Sequence, residues 1–117
     1  MSYIDGYVLA VPKKKLKAYV AMAKAGENIW CKHGALEYKE CAGDDLKVKF
    51  GVPFTRMMKT KPGETVIFSF FVFKSRAHRD RVNAKVMKEM EKMEMPKDMP
   101  FDMKRLVYGG FKTVVGG

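Results

Sequence analysis

The run Val66-Ile67-Phe68-Ser69-Phe70-Phe71-Val72-Phe73 constrains the fold of this chain more than any other segment. A strand with one wet face alternates apolar and polar residues, and this run places large apolar residues on both parities, with Ser69 as the exception. Its β-branched and aromatic content favours a strand over a buried helical segment, as do Pro62-Gly63 before it and Lys74-Ser75 after it. Both faces of that strand therefore need cover, and the second cover must be a partner subunit, a ligand or nucleic acid bases.

A chain of 117 residues closes one core, so a single domain spanning residues 1–117 is expected. The hydrophobic fraction of 47% and charged fraction of 31% are those of a globular protein and exclude a disordered chain. No apolar run is long enough to span a bilayer, and Ser2-Tyr3-Ile4-Asp5 lacks the basic and apolar regions of a signal peptide. No membrane association and a cytoplasmic location are expected. Cys31 and Cys41 are too few for a disulfide framework or zinc knuckle and read as buried free thiols. No metal site and no cofactor are expected. The net charge of +10 favours loose attraction to polyanions without specifying one.

Tyr3 to Val11 reads as a first strand, and Pro12 suits the first position of a helix running from about Lys13 to His33. Leu16, Tyr19, Ala23 and Trp30 recur there at helical spacing, and Gly34 is the natural stop. Ala35 to Cys41 reads as a second strand. Leu46 to Thr60 is hard to read: Val48, Phe50 and Val52 alternate, Pro53 interrupts, and Phe54 to Lys59 fits a short helical turn. After the aromatic strand, Ser75 predicts the cap of a helix reaching Met93 or Glu94, with Val82, Val86, Met90 and Met93 as its buried stripe. Met95 to Asp102 carries two prolines and must be a loop. A last strand spans about Lys104 to Val115, with Gly109-Gly110 marking a bulge or close backbone approach.

The order βαββαβ predicts an α+β, ferredoxin-like domain: a four-stranded antiparallel sheet with two helices on one face. Phe68 and Phe70 then lie on the face the helices leave bare. RNA-recognition modules share this strand order and stack bases on third-strand aromatics. Here Val66 and Ile67 stand where their basic residue and glycine belong, and the first strand lacks the matching aromatic ending, so specific nucleic-acid binding is not expected. A second copy of the chain covers such a face better, since sheets packed face to face bury their aromatics. The predicted assembly is a homodimer with Phe68 and Phe70 at the interface.

Several segments together resemble the YbaA-like family of uncharacterised bacterial proteins. They are Ser2-Tyr3-Ile4-Asp5-Gly6-Tyr7, His33-Gly34-Ala35-Leu36-Glu37-Tyr38, the helical stretch Lys74 to Met87, Met99-Pro100-Phe101-Asp102 and Tyr108-Gly109-Gly110-Phe111. The resemblance covers essentially the whole chain and implies the dimeric α/β-barrel architecture. It implies no particular activity, because one fold hosts many functions.

The residues supply candidates for a site. His33 and Glu37 form a candidate acid–base pair, although a histidine before a glycine stop also simply suits a helix C-terminus. Glu37 and Glu40 have opposite parity, so at most one faces the sheet interior. Asp5 is expected to cap its strand or pair with a Lys or Arg. Arg79 and Asn83 share a helix face at i,i+4 spacing and, with Tyr7 and Tyr108 as pocket walls, are the candidate ligand-binding residues, although a solvated helix face with Asp80 forming local ion pairs also accounts for them. The methionines from Met87 to Met103 read as adaptable packing rather than Cu(I) ligands. The expected function is small-molecule binding or turnover in a pocket of the dimer, and the alternative is a nucleic-acid or other polyanion-binding module using the basic surface. These residues do not decide whether the chain is an enzyme.

Overall fold

Alternation along β1 (Tyr3–Pro12) and β3 (Glu64–Phe73) decides which side chains meet the helices. Asp5, Tyr7, Leu9 and Val11 on β1 and Thr65, Ile67, Ser69, Phe71 and Phe73 on β3 turn inward, while Ile4, Val8, Val66, Phe68 and Phe70 turn to the other face. The computed structural model describes residues 1–94 and 97–116. Its elements follow the predicted order: β1, a 3₁₀ turn at Lys13–Lys15, α1 (Leu16–Lys32), β2 (Glu37–Ala42), a single turn α2 (Phe54–Met57), β3, α3 (Arg76–Met90), a 3₁₀ turn at Met103–Arg105 and β4 (Val107–Lys112). The sheet has four strands in the order β2-β3-β1-β4, every pair antiparallel. That is the ferredoxin-like arrangement.

Local chemistry explains the clean element ends. Gly34 takes φ +119°, and the turn it makes lets the Ala35 amide donate to the Trp30 carbonyl at 3.0 Å, closing α1. The Ser75 hydroxyl accepts from the His78 amide at 3.1 Å and caps α3. Several features differ from expectation. Cys31 and Cys41 are exposed rather than buried. The last strand is confined to Val107–Lys112, since Met103–Arg105 forms a 3₁₀ turn where the strand was expected to begin. Pro12 ends β1, opposite Glu64, instead of opening the helix, because sheet register extends to it. α3 stops at Met90, leaving Met93 exposed. Met95 and Pro96 of the predicted loop lie outside the described residues.

The core between sheet and helices has two neighbouring parts. Ile29, Phe71, Phe73, Val82 and Val86 pack under α1 and α3, and Leu9, Val11, Tyr19 and Ile67 pack under the start of α1. A third, smaller cluster sits on the opposite face, where Met58 and Leu46 cover Val8 and Val66. The chain's own segment from Leu46 to Met58 therefore covers part of the face expected to be wholly bare. Beyond it, Phe68 is 46% exposed and Phe111 is 61% exposed. The Phe111 ring lies over Gly6, whose missing side chain makes room for it. Val48, Phe50 and Val52 are also exposed, Phe50 to 90%.

Arg105 fastens the long loop after α3 to the sheet. Its guanidinium donates to both Glu64 carboxylate oxygens, at 2.8 and 2.7 Å, and to Asp102 at 3.0 Å. That fork pushes the largely shielded Glu64 carboxyl down to about 2. A carboxyl whose pKa falls on folding adds stability above its unfolded pKa and loses it as pH falls through the folded one. Stability should therefore drop by on the order of 2 kcal/mol between about pH 4.5 and pH 2 through this group. Urea denaturation across that range checks it, and Glu64→Gln should flatten the drop.

Candidate functional site

The sole polar residue of the run from Val66 to Phe73 marks the site. Ser69 lies opposite Glu40 on β2, and its hydroxyl donates to the Glu40 carboxylate at 3.0 Å. Tyr38, two residues before Glu40 on the same parity, donates its phenol to the other carboxylate oxygen. Tyr19 reaches down from α1 and donates to the oxygen that Ser69 uses. Burial, with the adjacent Glu40 adding to it, pushes the Tyr19 and Tyr38 phenols well above their usual range, so both remain protonated donors.

This carboxylate borders a chamber of about 320 Å³ between the sheet, α1 and the loop after α3. Its walls are almost entirely apolar: Tyr7, Trp30, Phe71 and Phe101, with methionines such as Met22 and Met90. The aromatic rings touch one another. Tyr38 stacks on Phe71 with centroids 4.1 Å apart, and Trp30 lies 5.3 Å from Phe71. The Arg105 fork holds Phe101, Met103 and Leu106 in place as one wall, so it shapes the chamber without touching its contents.

Tyr38 needs a glycine on α1. A Cβ at Gly26 would stand 2.7 Å from the Tyr38 hydroxyl. Ordinary helix propensity makes Gly→Ala a gain of about 1 kcal/mol. Here the clash should reverse the sign, lowering stability by about 1–2 kcal/mol as Tyr38 is forced off Glu40. Chemical denaturation of Gly26→Ala reads the sign directly. A gain would show that Tyr38 has room to move.

A second polar cluster lies beside the first. Asp5 is 0% exposed and accepts from Arg79 at 2.7 Å and from the Asn83 amide at 3.3 Å. Burial pushes the Asp5 carboxyl above the usual range, and Asn83 and Arg79 pull against that. Arg79 also donates to the Tyr108 hydroxyl at 3.1 Å and to Asp80 at 2.8 Å, and its guanidinium lies 4.9 Å from the Tyr3 ring centroid. The Trp30 indole donates to Asn83 at 3.1 Å, joining this cluster to the chamber wall. Tyr7 lines the chamber and stacks on Tyr108 at 4.6 Å.

The structure thus brings the predicted group of Tyr7, Arg79, Asn83 and Tyr108 together around Asp5. It does not bring His33 to Glu37. The turn at Gly34 sends Glu37 to the sheet face away from the helices, where it is opposite Val72. His33 instead meets Glu89 of α3 at 2.7 Å, a carboxylate that Lys32 also reaches at 2.7 Å. On the open face, Phe68 lies 6.2 Å from Phe70 and meets Phe54 of α2 edge-on at 6.2 Å, so the chain's own short helix occupies one side of the predicted interface pair. Glu40, Tyr19, Tyr38 and Ser69 were not among the expected site residues. A polar residue alone in an apolar strand needs a buried partner, and Ser69 was the signal that could have found them.

Residues 2–103 match a protein family described as "Protein of unknown function (DUF1428)". The chain belongs to this family. The resemblance read from the sequence agrees: the chain is 36% identical over 115 residues to "Uncharacterized protein YbaA" of Escherichia coli K12, covering 98% of each protein. The same identity and coverage hold for the protein of that name in Shigella flexneri. Among solved structures, the "De novo designed protein Foldit4" aligns with a TM-score of 0.48 at 8% identity, over 97% of this chain and 99% of the designed one. The DUF1428 family description names no activity, so the chemistry of the chamber is what points to a function.

Proposed function

We propose that this chain binds a small, largely apolar molecule in the chamber between its sheet and helices, and that it does so as a homodimer joined through the open sheet face. The chamber carries the reading. Its volume of about 320 Å³ falls within the span of small-molecule sites, and an apolar wall with a firmly placed polar group is how such sites combine affinity with orientation. Glu40 is that group, fixed in place by three hydroxyls. Trp30, the single tryptophan of the chain, lines the chamber and reports on it. Titration with toluene, a neutral apolar probe, should change Trp30 emission saturably. A response that only grows linearly with probe would overturn the reading.

The shape of the chain supports the second copy. A compact monomer of 13.4 kDa exposes about 6,500 Å². This chain exposes 8349 Å², about 1,900 Å² more, which is of the size one partner loses in an obligate dimer. Its radius of gyration of 15.1 Å likewise exceeds the roughly 13.4 Å of a compact chain of this length. The extents of 39 × 38 × 20 Å describe a slab of one sheet and one helical layer. A second slab stacked on the open face supplies the missing cover for Phe68 and Phe111.

A further inference from the structure

Glu40 differs from every other shielded acid among the described residues. Asp5 pairs with Arg79, Glu64 and Asp102 pair with Arg105, and Glu89 pairs with Lys32 and His33. Glu40 is half-buried and has no cation within 4.0 Å among the described residues, although the chain carries a net charge of +10. Lys24 lines a second groove that Glu40 also borders, without reaching ion-pairing distance.

Three hydroxyls satisfy most of the hydrogen-bonding capacity of this carboxylate and leave its charge uncompensated. A carboxylate has about four accepting sites. Tyr19 and Ser69 share one oxygen and Tyr38 takes the other, which keeps a site open. A shielded charge without a counter-ion is unfavourable, so the position favours a cation that arrives from outside. The rest of the chamber agrees. Its lining includes two acids, Glu40 and Glu94, and no Lys, Arg or His among the described residues. The rings of Trp30, Tyr38 and Phe71 stand together in its wall, offering the aromatic surface on which organic ammonium groups are held.

We infer that the ligand of the chamber is an organic cation, an ammonium group carried on an apolar body, with Glu40 as its counter-ion. This rests on the chamber being a binding site and adds the class of molecule it takes. Anionic ligands of the same shape are rejected, since they would face Glu40 with no compensating base.

A matched series tests it: 4-phenylbutylammonium, 4-phenylbutan-1-ol and 4-phenylbutyrate, titrated at pH 7 by calorimetry with Trp30 emission in parallel. The ammonium should bind about ten-fold or more tightly than the alcohol, and the carboxylate most weakly. In Glu40→Gln the ratio of ammonium to alcohol affinity should fall to about one. Equal or tighter binding of the alcohol or carboxylate by the unsubstituted protein would overturn the cation assignment and leave the chamber reading standing. Persistence of the ratio in Glu40→Gln would also overturn it. Binding of no member of the series would remove both readings together. If Glu40→Gln does not fold, the ratio in the unsubstituted protein decides alone.

Discussion

Arg79→Ala should destabilise the fold by about 3–5 kcal/mol, a large share of the stability of a domain this size. The reason is the partner left behind. Asp5 is fully enclosed, and without the guanidinium at 2.7 Å its carboxylate would keep only the Asn83 amide at 3.3 Å. Arg79 also ties α3 to β1 and β4 through Asp5, Tyr3 and Tyr108, so its loss frees several contacts at once. The penalty belongs mainly to the orphaned charge, and a paired replacement separates the two effects. Asp5→Leu with Arg79→Met should recover much of the loss, because an apolar pair of similar volume has no charge to desolvate. Urea denaturation of the single and double variants measures both. A double variant as unstable as Arg79→Ala would mean that the contacts to Tyr3 and Tyr108 matter more than the buried charge.

Phe68→Glu should split the proposed dimer. A face that meets its own copy presents any substitution twice, so one exchange removes two aromatic rings and places two like charges in one apolar interface. The expected loss exceeds about a thousand-fold in dimer affinity. Light scattering at micromolar concentration should give twice 13.4 kDa for the unsubstituted protein and 13.4 kDa for the variant. The variant chain should keep its fold, because Phe68 is already half exposed in the single subunit. A monomeric mass for the unsubstituted protein would contradict the assembly directly.

Features governed by neighbouring residues were readable in the sequence. Gly34 as a helix stop and Ser75 as a helix cap follow local rules, and both stand where those rules put them. The order of strands and helices was equally plain from hydrophobic period. Pro12 was misplaced because two local rules compete there, and sheet register, a long-range property, wins. The segment from Leu46 to Thr60 was hard to read for the same reason, apart from its short helical turn, which forms at Phe54–Met57. Its path is set by Met58 and Leu46 packing on Val8 and Val66, far away in sequence.

The site divides in the same way. Arg79 and Asn83 share a helix face by i,i+4 spacing, which the sequence displays. Their centre, Asp5, becomes visible only when β1 lies under α3. Parity limited Glu37 and Glu40 to one inward residue without saying which. The β2–β3 register answers by setting Glu40 opposite Ser69. Tyr19 joins them only through the packing of α1, and no spacing along the chain announces that.

Methionine-methyl NMR tests the chamber most directly, since its residues carry their own reporters. Met22, Met90, Met99 and Met103 line the chamber, whereas Met57 and Met87 do not. On titration with toluene, the first four methyls should shift saturably along one binding curve while Met57 and Met87 stay still. Shifts concentrated on Met57 and Met58 beside the open face, or no saturable shift at any methyl, would contradict a binding chamber between the sheet and the helices.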